Sequence, residues 1–147
     1  MPTRISENNG RSPFSDAGYR LLAAFRQELR EFLHFSEEAA RAAGVRPQQH
    51  QAMLIIRGSS EPDRMTIGHL AAKLKIKHHS AVELATRMQE EGFLKKSTDP
   101  NDGRCVLIRL TSRAENVLKK LSTAHKAELD RVGPALTEIL NHLKILP

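Results

Sequence analysis

The stretch TIGHLAAKLKIKHHSAVELATRMQEEGFLKKSTDPNDGRCVLIRLT, Thr66 to Thr111, decides the fold. Thr66 stands where a helix N-cap is wanted, and Ile67, Leu70, Ala71 and Leu74 then share one side of a short helix. Only Lys75-Ile76-Lys77 separates it from a second helix that runs to Glu91 and is closed by Gly92. Ala81, Leu84, Ala85 and Met88 recur at i, i+3, i+4 and i+7 and draw one narrow apolar stripe on that helix. After Gly92 the period changes to two. Phe93–Ser97 and Arg104–Leu110 flank Asp99-Pro100-Asn101-Asp102-Gly103, where Asp-Gly is a strong hairpin signal. Val106, Ile108 and Leu110 fall on one face of the second strand; Cys105, Leu107 and Arg109 fall on the other.

Short helix, tight turn, helix and hairpin make a winged helix-turn-helix. Its first helix braces the second, whose outward side chains fit a DNA major groove about 12 Å wide. A basic hairpin tip then reaches the neighbouring backbone or minor groove. With the apolar stripe turned inward, the outward arc of the second helix holds His79, Ser80, Glu83, Thr86, Arg87 and Glu90. Lys77 and His78 stand at its leading end, where free backbone N–H groups also face outward. Arg87 is placed to address guanine and either histidine a base edge.

Outward from this unit, Pro47 suits the first position of a helix that stops at Gly58, and Ser59–Arg64 with Pro62 reads as a loop. Upstream, Ser15 caps a long helix in which Leu22, Phe25, Leu29 and Phe32 recur at steps of three and four until Gly44. Downstream, Thr111 caps a helix carrying Val117, Leu118, Leu121 and Leu129. Gly133-Pro134 is expected to break it, leaving a final short helix striped by Leu136, Ile139, Leu140 and Leu143. The fold class is therefore mainly α with a small antiparallel hairpin. A polar arm covers 1–14 and a single domain 15–147. Within that domain the winged unit spans about 47–111, between long helices over about 15–44 and 112–147.

The chain has 147 residues, one cysteine and no tryptophan, and its formal charge is +6. The longest apolar runs, Leu21–Phe25 and Ala52–Ile56, are five residues each, whereas a membrane helix needs about 20. One cysteine makes no internal disulfide, so the expected compartment is a reducing cytoplasm. The charge is unevenly spread. Lys77 to Gly92 holds two Lys/Arg against three Glu, while Lys95 to Arg109 holds four Lys/Arg against two Asp. Lys73, Lys75 and Lys77 add a basic run at the turn. Electrostatic attachment is thus expected from turn and wing more than from the second helix itself.

Thr66-Ile67-Gly68-His69-Leu70-Ala71, Ser80-Ala81-Val82, Glu90-Glu91-Gly92-Phe93-Leu94, Asp99-Pro100-Asn101-Asp102-Gly103-Arg104 and Leu110-Thr111 together resemble the MarR (multiple antibiotic resistance regulator) family of bacterial transcription factors. The helix layout from Asp16 to Leu146 is similar too. The resemblance implies a homodimeric regulator of double-stranded DNA, more often a repressor than an activator, released by small aromatic or phenolic ligands. This chain departs from the family pattern at four places. Asn101 replaces the first wing arginine, His69 a capping-box glutamate, Lys75 a turn glycine, and Lys77 a Ser or Asp cap. The DNA-binding candidates are accordingly Lys75, Lys77, His78, His79, Ser80, Arg87, Asn101 and Arg104. Matching positions for an effector pocket are Phe32, Phe35, His50 and Met53.

Apolar stripes on the first and last helices exceed what the winged unit covers. A two-fold dimer covers them and sets two recognition helices about 34–36 Å apart. No cofactor is implied. An enzyme is not expected, because there is no glycine-rich phosphate loop, Cys-x-x-Cys or His-x-x-x-His; His78 and His79 point about 100° apart, unlike a zinc pair at i, i+4. A winged-helix adaptor that binds protein rather than DNA is the rival reading, favoured by the acidic second helix.

Overall fold

Ser15 opens the first helix as its sequence suggests, its hydroxyl accepting the Gly18 N–H at 3.1 Å. The computed structural model describes residues 14–147, so the arm expected over 1–14 lies outside the described residues except for Phe14. The element order is α1 (Asp16–Ala42), α2 (Pro47–Arg57), a 3-10 turn (Pro62–Arg64), α3 (Ile67–Leu74), α4 (His78–Glu90), β1 (Leu94–Asp99), β2 (Asp102–Leu110) and α5 (Ser112–Lys144). No described helix is long and apolar enough to cross a membrane.

The chain forms two compact units, one of 14–33 with Glu128–Pro147 and one of His34–Ala127. The second unit contains the winged helix-turn-helix. Its core is built by Met53 and Ile56 of α2, Leu70 of α3, Leu84, Ala85 and Met88 of α4, Phe93, Leu94, Ile108, and Leu118 and Leu121 of α5. Each fully buried Leu, Ile or Met contributes roughly 1.5–3 kcal/mol of transfer free energy. The other unit takes in the start of α1 and the end of α5. It leaves Tyr19, Leu22, Leu33, Leu129, Leu140 and Ile145 largely exposed.

Helix ends here repeat one device. The Val45 N–H reaches back to the Ala40 carbonyl and Gly44 N–H to that of Arg41; Phe93 and Gly92 do the same to Met88 and Gln89. Both closures place a glycine at φ +80°, the left-handed region where a side chain is costly. At the end of α3 the same pattern runs from Ile76 to Ala71 and from Lys75 to Ala72. There the left-handed residue is Lys75, at φ 55° and ψ 44°, the only described non-glycine residue with positive φ. The tight turn survives the missing glycine by holding a lysine in a strained backbone.

The hairpin pairs Leu94 with Leu110 through Thr98 with Val106, then slips to Asp99 with Asp102. The turn is therefore at Pro100-Asn101, and Asp102-Gly103 belongs to β2 rather than to the loop expected from its Asp-Gly signal. Asp99 supplies the reason: its carboxylate accepts the Asn101 N–H at 2.9 Å and closes a side-chain turn one step earlier. The register from Val106 to Leu110 is regular, but burial in β2 does not follow its two faces. Val106, near the tip, is 42% exposed while Leu107 is buried. Leu107 is bridged to Thr66, and the Ile108 N–H donates to the Met65 carbonyl at 2.9 Å, so Met65-Thr66 is tied to the open edge of β2 by an isolated bridge.

Gly133-Pro134 does not break the last helix; α5 continues through Pro134 to Lys144. Leu129, Val132, Leu136, Ile139 and Leu143 keep one helical period across the proline, and Val132 is buried. Keeping that stripe in line outweighs the hydrogen bond that proline cannot donate.

Replacing Lys75 with glycine tests the strained turn. Relief of about 1–2 kcal/mol of left-handed strain exceeds the roughly 0.5–1 kcal/mol of added backbone entropy loss, so Lys75→Gly should stabilise the fold by about 0.5–1 kcal/mol. Urea unfolding monitored by circular dichroism measures this, and a destabilised variant would contradict the strain argument.

Candidate nucleic-acid interface

Helix α4 is held with its stripe inward: Ala81, Ala85 and Met88 are fully buried and Leu84 nearly so. The opposite arc is therefore open. Lys77, His78, His79 and Arg87 are exposed, and Ser80 is half-buried. Thr66 caps α3 by accepting the His69 N–H at 3.1 Å, without the reciprocal bond that a glutamate at His69 would supply. Lys77 occupies the N-cap of α4 and gives no side-chain cap, which leaves the first-turn N–H groups of α4 without that partner.

Two long-range bonds brace this helix. Buried Gln49 accepts the Arg46 N–H at 3.0 Å through Oε1, and its Nε2 donates to Glu91 Oε2 at 2.8 Å. The start of α2 is thus tied to the end of α4. On the other side Lys96 Nζ of β1 donates to Thr86 Oγ1 at 3.2 Å, joining the wing to the recognition helix.

The wing is anchored at base and tip. At the base the Thr111 hydroxyl donates to the Gly92 carbonyl at 2.6 Å and accepts the Ala114 N–H at 3.1 Å, capping α5 as expected. At the tip buried Asp99 pairs with Arg64 of the 3-10 turn at 3.3 Å, and near the base exposed Arg109 pairs with Asp63 at 2.6 Å. Asp102 accepts the Arg104 N–H at 3.0 Å and the Cys105 thiol at 3.5 Å. That bond and the Asp102 charge push the Cys105 thiol above its ordinary range. Arg104 therefore meets Asp102 through its backbone, and its side chain is exposed beside Asn101.

Lys75, Lys77, His78, His79, Asn101 and Arg104 are all exposed within the one unit, along α3–α4 and the wing. Arg64, Asp99, Gln49 and Lys96 were not singled out by sequence. Only Gln49, at the third position of a helix begun by Pro47, carried a local signal. Glu83 and Arg87, spaced for an i, i+4 pair, form no ion pair within 4.0 Å.

The effector candidates divide. Phe32 falls in the terminal unit, whereas Phe35, His50 and Met53 belong to the winged unit, where Met53 is fully buried core. Phe35 meets His125 edge-on at 5.5 Å between ring centroids, and His50 lies 4.8 Å from the same ring. His125 Nδ1 donates to the Leu121 carbonyl at 2.6 Å, so its Nε2 can accept the Ser36 hydroxyl at 2.7 Å. Burial first, and the His125 charge second, push the His50 imidazole below its ordinary value. No group of three or more His, Cys, Asp or Glu is placed to hold a metal ion among the described residues.

Residues 43–104 match a family model described as the MarR family. A Bacillus subtilis protein, the uncharacterized HTH-type transcriptional regulator YcgE, is 28% identical over 117 residues, covering 80% of this chain and 72% of its own. A Staphylococcus aureus MepR mutant bound to an oligodeoxyribonucleotide superposes with a TM-score of 0.67 at 16% identity, over 85% of this chain and 97% of that one. CouR from Rhodococcus jostii, bound to p-coumaroyl-CoA, gives 0.66 at 18% identity, over 88% and 87%. The two solved structures show a shared fold.

Asp99→Ala separates geometry from charge at the wing. Charge alone predicts tighter binding to duplex DNA, since a carboxylate is removed. Loss of the Arg64 pair and of the Asn101 turn predicts several-fold weaker binding, and that is the expected result in a fluorescence-anisotropy titration. For His50 the direction of the shift sets the pH window: the unfolded chain takes up a proton near pH 6.5 that the folded chain resists. Stability should thus be full above about pH 6.5 and decline as pH falls through that value toward the lowered one. Thermal midpoints between pH 7.5 and about 5.5 should drop less in His50→Gln than in the parent.

Proposed function

From the match of residues 43–104 to the MarR family model we propose that the chain is a member of that family and a homodimeric, sequence-specific DNA-binding repressor. As a family member it is a transcription regulator and not an enzyme. Its operator is an inverted repeat, read by two copies of α4. His78, His79 and Ser80 meet base edges at the leading end. Lys75 and Lys77 hold phosphates at the turn, while Asn101 and Arg104 reach the backbone or minor groove from the wing. Arg87 contributes further along the helix. The observation that carries this reading is the rotation of α4, which buries Ala81, Leu84, Ala85 and Met88 and turns these polar groups outward.

Dimerisation is supported by the exposed Tyr19, Leu22, Leu33, Leu129, Leu140 and Ile145 at the start of α1 and the end of α5. A second copy would cover them. A small aromatic or phenolic effector, seated near Phe35, His50 and Met53 of the winged unit, would favour one spacing of the two recognition helices if it binds that arrangement more tightly. The compartment proposed is the cytoplasm.

The test combines two measurements. Sedimentation should give a dimer, and selection from random duplexes should recover an inverted repeat whose affinity falls steeply with salt. Arg104→Ala should lower the magnitude of the log–log salt slope by roughly 0.9 for each phosphate it no longer neutralises. A monomer, or a chain indifferent to every duplex at low salt, would sink the proposal; the latter result would favour a protein-binding adaptor, to which the net negative α4 is suited.

A further inference from the structure

An open pocket of about 310 Å³ lies along α4 on the side facing the start of α2. Arg46 and Gln48 line it from α2, and Ser80, Glu83 and Arg87 from α4. The lining thus brings together two arginines and one glutamate, Arg46 at the start of α2 and Glu83 and Arg87 on α4, beside the outward arc of that helix. Neither arginine forms an ion pair within 4.0 Å among the described residues. Arg41, Arg113 and Glu91 line a neighbouring pocket that also includes Arg46.

We propose that Arg46 and Arg87 form a clamp for one phosphodiester of the DNA backbone, and that Arg87 holds phosphate instead of reading a base. The inference rests on the DNA-binding reading above and assigns a role within it. Arg87 lies nine residues beyond His78, which at 1.5 Å per residue is about 13 Å along the axis. A major groove is only about 12 Å wide, and a recognition helix reads bases with its N-terminal residues. Arg87 therefore stands where the flanking strand rises out of the groove, and it shares the pocket with Arg46, the N-cap of another helix. Guanidinium groups suit this position, because each offers a planar fork of donors to phosphate oxygens. Ser80 and Gln48 supply neutral donors at the rim. Glu83 opposes the anion and keeps the groove from being an unselective cationic trough.

Arg46 can be altered without touching the fold, because the bond that fixes the start of α2 uses its backbone N–H to Gln49, not its side chain. The experiment measures dissociation constants of the full-length protein against salt concentration, for its selected operator and for an unrelated duplex. Arg46→Ala and Arg87→Ala should each lower the slope magnitude by roughly 0.9 per phosphate, hence roughly 1.8 for a dimer that releases one phosphate on each half-site. Both should weaken operator and unrelated duplex by the same factor, and Arg87→Lys should recover most of the loss. An unchanged slope in Arg46→Ala, with an unchanged melting temperature, would overturn the clamp while leaving DNA binding intact. Relaxed preference at a single operator position in Arg87→Ala would restore base reading and overturn it equally. If the parent binds no duplex, the broader reading fails and takes this one with it.

Discussion

Everything the recognition helix offers to a partner depends on how α4 is rotated about its own axis. The rotation is set by a hydrophobic constraint, since Ala81, Leu84, Ala85 and Met88 form a stripe too narrow to be satisfied any other way. The two alanines let α4 sit close, while Leu84 and Met88 reach into the core among Met53, Ile56 and Leu70. A rotation of one residue, about 100°, would expose this stripe and bury Glu83 or Arg87 without partners. The polar arc is consequently a by-product of core packing, and no surface interaction is required to aim it.

Aiming the wing takes a different kind of force. A two-stranded hairpin is marginal in water on its own. Here its base is stitched by Thr111 to Gly92 and its second strand by Met65-Thr66, which also begins α3. Thr66 thereby serves two elements, as cap of α3 and as bridge partner of Leu107. Helix-turn-helix and wing share backbone hydrogen bonds, and they move as one body to the extent that those bonds persist. The Arg64–Asp99 pair extends the coupling to the tip.

Much of this was legible in the sequence because it is locally encoded. The stripe of α4, the caps at Ser15, Thr66 and Thr111, and the closures at Gly44 and Gly92 all rest on residues within a turn or two of each other. The misreadings have the opposite character. Asp-Gly is a sound local turn signal, yet Asp99 is drawn into the turn and paired with Arg64, 35 residues away. Gly-Pro is a sound breaker, yet α5 continues because its apolar period is in phase on both sides of Pro134. Gln49 to Glu91 spans 42 residues, and its importance to α4 has no counterpart in any window of sequence. Arg46 is the same case: Pro47 announces a helix start, but nothing local says that this start lies against the recognition helix.

Lys75 shows how backbone and charge compete for one position. The turn between α3 and α4 has the hydrogen bonds of the Gly44 and Gly92 closures, and glycine would satisfy its left-handed φ at lower conformational cost. Lysine there costs about 1–2 kcal/mol of strain. It also puts a cation at the entrance of a helix that is itself net negative, between Lys73 and Lys77. At the spacing of adjacent phosphates such a charge acts through release of condensed counterions, a gain that grows as salt falls. The strain is independent of salt, and the charge is felt only beside a polyanion. On the proposed DNA-binding reading, a lysine at this turn moves free energy from the fold to the encounter with an anionic strand, where α4 itself, with two glutamates against one arginine, could not.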